Sequence, residues 1–188
     1  SEGLIEKNDG EEGLKKSISF AKSWNNKAGN RITTMLAPHS PYTCSSDYLI
    51  KIAENAKDMD IPLHIHLAET ENEVNIIKDK YNTTPTKYLN DLDIFSNIKV
   101  LAAHCIYLDN DEIDILAKNN VGVAHNPLSN MKLGSGIADI NKMLNNNILI
   151  TLGTDGVSSN NNLNLLEEAK MAAYLQKVIN KDHSLIAI

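Results

Sequence analysis

The chain has 188 residues, of which 42% are hydrophobic and 22% charged, and its formal net charge is -6. This length and composition are typical of one globular domain with a buried core. The net negative charge, without clustered Lys and Arg, excludes a nucleic-acid surface, and no apolar run approaches the roughly 20 residues that span a bilayer. Two cysteines are too few for a disulfide scaffold, so we expect a cytoplasmic location.

Apolar runs and helical patterns alternate along the chain. Short apolar or β-branched runs predict strands, and apolar residues at helical spacing predict helices. The predicted strands are 32–37, 63–68, 99–103, 121–124 and 148–152, and the predicted helices are 11–26, 46–59, 71–81, a short one from 85, 110–119, 137–145 and 164–179. Near-continuous apolar strands separated by helices predict an α/β fold with a parallel sheet. We expect residues 1–10 to be flexible.

Metal ligands and proton carriers stand where the predicted strands end. His39 follows the first strand, His66 ends the second with Glu69 just beyond it, His104 follows the third, and Asp155 follows the fifth. α/β folds place their chemistry at the carboxyl ends of strands. Imidazoles and carboxylates bind zinc and transfer protons, so the pattern predicts a divalent metal site with acid–base groups.

Two other histidines have open roles. His64 shares a strand face with His66, because side chains alternate along a strand, and it could fill the interior or support the ligand. His125 begins the segment His-Asn-Pro-Leu-Ser-Asn, residues 125–130, and could shape a substrate pocket or stiffen the loop.

Five motifs lie at the strand ends. They are Pro-His-Ser-Pro-Tyr at 38–42, His-Ile-His-Leu-Ala-Glu at 64–69, Ala-His-Cys at 103–105, His-Asn-Pro-Leu-Ser-Asn at 125–130 and Gly-Thr-Asp-Gly at 153–156. In this order they resemble motifs of the amidohydrolase superfamily, in the branch of 5-methylthioadenosine/S-adenosylhomocysteine deaminases beside the chlorohydrolases. The resemblance covers the chain from about residue 32 onward.

The resemblance implies a TIM barrel with one catalytic divalent metal, usually zinc or iron, and a purine nucleoside substrate. It implies that His66 and Asp155 are metal ligands, and that Glu69, His104 and Asp155 are catalytic. Glu69 would deliver a proton, Asp155 would take one from water, and His104 would orient the water; His39 and Glu69 would contact substrate. Alternatives are an aminohydrolase or chlorohydrolase acting on guanine, cytosine or a triazine, and a non-catalytic binding or assembly module.

The family pattern begins with a His-x-His pair on the first barrel strand, and nothing before residue 32 resembles it. A complete TIM barrel takes about 250 residues. We therefore interpret residues 1–188 as the C-terminal part of an amidohydrolase TIM-barrel domain, with five parallel βα units that correspond to strands 4–8. As a fragment it should be inactive alone, and its open sheet edges predict a homo-oligomer.

Overall fold

Four strands form one parallel sheet in the order β1-β2-β3-β4. They are β1 (Leu63–Leu67), β2 (Val100–His104), β3 (Gly122–His125) and β4 (Ile150–Leu152). The structure is a computed structural model and describes residues 3–185. Strands that pair in chain order, each followed by helical segments, are the pattern of consecutive βα units. This confirms the predicted α/β fold of a partial barrel.

Helices connect the strands and cover one face of the sheet. They are α1 (Glu6–Trp24), α2 (Lys27–Asn30), α3 (Ser46–Asp58), α4 (Glu71–Tyr81), α5 (Pro85–Asp91), α6 (Asn110–Lys118), α7 (Pro127–Lys132), α8 (Ile140–Asn145) and α9 (Leu165–Asn180). Side-chain caps fix several starts: Thr70 accepts the backbone N–H of Glu73, and Asp109 forms a capping box with Glu112.

The first predicted strand, 32–37, is wrong as a regular strand. The segment lies beside β1, where Leu36 forms an isolated parallel bridge with Leu63. The hydrogen-bond ladder between this segment and β1 stops because Pro38 has no backbone N–H to continue it. The next hydrogen bond runs from the backbone N–H of His66 to the carbonyl oxygen of His39, at 3.0 Å. Five βα units were predicted, and the described residues contain four regular strands with this extended segment at the sheet's edge.

The start of the chain, 1–10, which we expected to be flexible, is described from residue 3 onward, and residues 1 and 2 lie outside the described residues. Residues 3–10 lie beside the edge segment and begin the first helix. Leu4 is buried and bridges Pro38, which places it beside the edge segment. Helix α1 begins at Glu6, has a kink at Gly10, and buries Leu14. Its contacts are with α3, so it joins the helical layer.

The two faces of the sheet differ in polarity. Leu63, Ile65 and Leu67 point toward the helices and are fully buried, and each such side chain contributes about 1.5–3 kcal/mol to folding. The alternate residues, His64 and His66, lie on the opposite face and are partly exposed. Within residues 3–185, no helix is both long and apolar enough to cross a membrane.

Candidate functional site

The histidines predicted at separate strand ends lie next to one another. The ring centroids of His39 and His66 are 4.9 Å apart, and those of His66 and His104 are 5.6 Å apart. His104 Nε2 lies 3.9 Å from Glu69 Oε2. Residues from the ends of β1 and β2 and from the neighbouring edge segment therefore converge at the carboxyl edge of the sheet, where parallel strands end together.

His66 has one ring nitrogen committed to the backbone. Its Nδ1 lies 2.7 Å from the carbonyl oxygen of His39, so Nδ1 carries the hydrogen and donates it. The lone pair is then on Nε2. Histidines that ligate metals are held in this way, with the other ring nitrogen donating to a backbone carbonyl.

An unusual backbone conformation orients the Glu69 side chain. Ala68, just before it, has a φ of 49°, a left-handed conformation that non-glycine residues rarely adopt and that tends to occur at functional sites. His104 has the same feature, with a φ of 72°. Ser135 Oγ makes a long contact of 3.5 Å with Glu69 Oε1. The turns at two neighbouring strand ends thus direct Glu69 and His104 toward each other.

The buried side chain of Glu73 stabilises the backbone turn at Ala68 and Glu69. It is 1% exposed, and its two carboxylate oxygens accept the backbone N–H groups of Ala68 and Glu69, each at 2.9 Å. Burial raises the pKa of Glu73 to about 7, although these bonds oppose the shift. Sequence reasoning missed this residue; the Thr70-x-x-Glu73 spacing of a capping box was the available signal.

Stability should depend on pH through Glu73. Its folded-state pKa, about 7, is above the ordinary value of 4.5, so its stabilising contribution is complete below about pH 4.5 and is lost as pH rises through about 7. The loss amounts to about 3 kcal/mol in the free energy of unfolding. Urea unfolding at pH 5 and pH 8 measures it. Glu73→Gln should show a smaller difference between the two pH values, and an equal difference in both proteins would contradict the assignment.

Asp155 also has a fixed carboxylate. Ser129 Oγ donates to its Oδ2 at 2.6 Å, and the Gly156 backbone N–H donates to its Oδ1 at 2.7 Å. Burial raises the pKa of Asp155, but these two bonds and the nearby imidazoles of His104 and His66 outweigh it, so the pKa lies below its usual value. Asp155 is therefore ionised at neutral pH, as a metal ligand or a base must be.

The two histidines with open roles lie in different places. His64 Nδ1 is 2.9 Å from the carbonyl oxygen of Leu101, and its ring centroid is 6.1 Å from that of His66. Burial lowers the pKa of His64. His125 is fully buried, and neither ring nitrogen has a hydrogen-bond partner among the described residues. Burial, with a smaller contribution from His104, lowers the pKa of His125 to about 4, so it is neutral.

The residues present fit part of a metal site. The free Nε2 of His66 and the ionised carboxylate of Asp155 are suitable ligands. Within residues 3–185, no group of three His, Cys, Asp or Glu side chains could hold a metal ion by itself. Zinc in catalytic sites normally has about three protein ligands, so the pair fits a site that is completed by other ligands.

This chain is similar to known proteins over nearly its whole length. The model of the amidohydrolase family matches residues 6–186. A 5-methylthioadenosine/S-adenosylhomocysteine deaminase from Halothermothrix orenii is 48% identical over 188 residues, which are 100% of this chain and 43% of that protein. A 5'-deoxyadenosine deaminase from Methanococcoides burtonii is 49% identical over 185 residues, which are 97% of this chain and 42% of that protein.

The fold has close counterparts among solved structures. An adenosine deaminase from Xanthomonas campestris, solved with bound zinc, has a TM-score of 0.89 and 30% identity, over 95% of this chain and 40% of that one. The chain therefore spans about two fifths of the length of these relatives. The family match covers nearly the whole chain and the motifs stand at the expected strand ends, so this chain belongs to the amidohydrolase family.

Proposed function

We propose that this chain is part of a metal-dependent hydrolase that deaminates an adenosine-type nucleoside. The observation that carries the proposal is the convergence of His66, Glu69, His104 and Asp155 at one edge of the sheet. The names of the two relatives above support a substrate such as 5-methylthioadenosine, S-adenosylhomocysteine or 5'-deoxyadenosine. The proposal extends to a cytoplasmic location, since Cys44 and Cys105 are both free and buried.

His66 and Asp155 would hold the metal, through the imidazole Nε2 and the carboxylate. When bound, a divalent metal such as zinc acts as a Lewis acid and lowers the pKa of water. Zinc in the Xanthomonas campestris relative supports that choice over iron. Ligands beyond these two would have to come from outside the described residues, so we propose that the chain alone is inactive.

The remaining groups would move protons and position substrate. In the deamination, water adds to the purine carbon that bears the amine, the carbon–nitrogen bond breaks, and ammonia leaves. Glu69 would donate a proton to the adjacent ring nitrogen, and Asp155 would accept one from the water and pass it to the amine, which leaves as ammonia. The added hydroxyl would then return its proton to Glu69 as the carbonyl forms. His104 faces Glu69 across 3.9 Å and would orient the water. His39, whose ring packs beside that of His66, would contact substrate.

A substrate comparison tests the function. The protein of relatives' length that contains this chain is incubated with 5-methylthioadenosine, 5'-deoxyadenosine and guanine, and ammonia release is measured. We expect the two adenosine-type nucleosides to react far faster than guanine. Preference for guanine would redirect the proposal to another aminohydrolase. No reaction with any of the three, in metal-loaded protein, would overturn it.

We propose that the chain alone associates through the open edge of its sheet. Among the described residues no strand pairs with the outer side of β4, and Leu149 beside it is 70% exposed. Unpaired apolar edges are templates for another chain. We expect light scattering at low micromolar concentration to give a mass above the 20.7 kDa of one chain.

A matched pair of charge substitutions locates this contact. Leu149→Lys should weaken association, whereas Phe20→Lys, at a site 60% exposed on α1, should not. A single species of 20.7 kDa for the unmodified chain would contradict the proposal. In a protein of the relatives' length the additional residues could cover this edge, so the Leu149 effect should be specific to the isolated chain.

A further inference from the structure

Asn130 and His104 form a buried polar pair next to the site. Each is 1% exposed, and the Asn130 Oδ1 lies 2.8 Å from His104 Nδ1. An amide oxygen only accepts, so the ring nitrogen that faces it must carry the hydrogen. We propose that Asn130 is a positioning residue that holds His104 in the Nδ1–H tautomer and so presents the Nε2 lone pair to the reacting groups.

The helix that carries Asn130 is fixed in place. Helix α7 starts at Pro127, and the Leu128 backbone N–H donates to the buried carboxylate of Glu168 on α9 at 3.1 Å. The neighbouring residue, Ser129, donates to Asp155. Two consecutive side chains of one short helix thus bind groups from β2 and from the loop after β4. The contacts with Glu168 and Asp155 restrain the helix and so keep the Asn130 amide beside the His104 ring.

The tautomer decides what His104 can do. Its Nε2 faces Glu69 Oε2 at 3.9 Å, which is too long for a direct hydrogen bond and leaves Nε2 available to another group. With the lone pair on Nε2, His104 accepts a hydrogen bond from water or substrate; with a hydrogen there, it would donate one. This consequence rests on the proposed deamination, whereas the tautomer itself does not.

Removing the acceptor should loosen the ring and slow the reaction. Misplacing a catalytic group by about 1 Å can cost about 100-fold in rate, and we expect a loss of up to that size in kcat for Asn130→Leu, with little change in KM. Leu has a similar volume but no acceptor. Asn130→Asp keeps an acceptor oxygen at the same position, so His104 should keep its Nδ1–H tautomer in that variant.

Nitrogen NMR of histidine-labelled protein measures the tautomer directly. The His104 signals are assigned by their absence in His104→Gln. We expect the Nδ1–H form in the unmodified protein and in Asn130→Asp, and a mixture or the Nε2–H form in Asn130→Leu. The matched control is Gln176→Leu, which removes another buried amide whose partners are backbone groups of Ala138 and Asn141 and not of α7. It should leave His104 unchanged while it perturbs the fold to a similar extent.

Several outcomes would overturn the inference. An Nε2–H form in the unmodified protein would mean that the Asn130 amide is reversed, and an unchanged tautomer in Asn130→Leu would mean that Asn130 does not control it. If Asn130→Leu does not fold, Asn130→Asp provides the test. Loss of the Nδ1–H form of His104 in that variant would contradict the inference, because the acceptor oxygen is still present. An absence of deamination with the tautomer results as expected would reject the proposed function and retain the role of Asn130.

Discussion

Replacing Glu69 by Gln should lower turnover by about 10²- to 10⁴-fold, the usual contribution of a general acid–base group, while the metal content stays constant. The change removes the proton that Glu69 would deliver but preserves the size of the side chain. Glu69 is not one of the two proposed ligands, so zinc should remain bound. Ammonia release and zinc content by elemental analysis, in the protein of relatives' length, measure the two effects separately.

The control for this substitution lies on the same segment. Glu71 is exposed at the start of α4, two residues beyond Glu69. Glu71→Gln removes the same charge near the site without touching His104, so its turnover should stay close to that of the unmodified protein. Equal activity of Glu69→Gln and the unmodified protein would remove Glu69 from the mechanism. Parallel loss of zinc and activity would instead make Glu69 part of the metal site.

The local sequence pattern was sufficient to predict which side chains lie near one another at the carboxyl edge of the sheet. Alternation along a strand correctly placed His64 and His66 on one face, because a buried strand leaves little freedom of register. Strand ends that carried His66, His104 and Asp155 came together because consecutive parallel strands end at the same edge. The interruption of the first predicted strand was harder to predict. The β-branched residues of 32–37 favour a strand, but Pro38 has no backbone N–H to continue its hydrogen bonding with β1.

The supporting contacts could not be predicted because they join distant segments. Asn130 is 26 residues from His104, and Ser129 is 26 residues from Asp155. Both contacts depend on how α7 docks and on the left-handed turn at His104, neither of which periodicity describes. Glu73 is an exception, because it acts within one turn of its own helix, where capping rules apply.

Replacing Asp155 by Asn should remove metal and activity together, which distinguishes it from Glu69. Burial raises the pKa of Asp155, but the bonds from Ser129 and Gly156 and the nearby imidazoles together lower it below its usual value, so the unmodified protein presents a charged carboxylate. Asn keeps an oxygen for the Ser129 bond but has no charge to bind a divalent cation and cannot accept a proton.

We expect the zinc content to fall by at least about tenfold. Loss of a residue that only hydrogen-bonds to a metal ligand typically costs about 10- to 100-fold in metal affinity or activity, and loss of a ligand itself should cost more. Deamination should fall with it. Asp114→Asn, at an exposed position on α6, is the matched control and should retain both. Zinc analysis after dialysis, with the ammonia assay, gives the two readouts. Full zinc with no activity in Asp155→Asn would leave Asp155 as a base alone, and His66 would then be the one proposed ligand among residues 3–185.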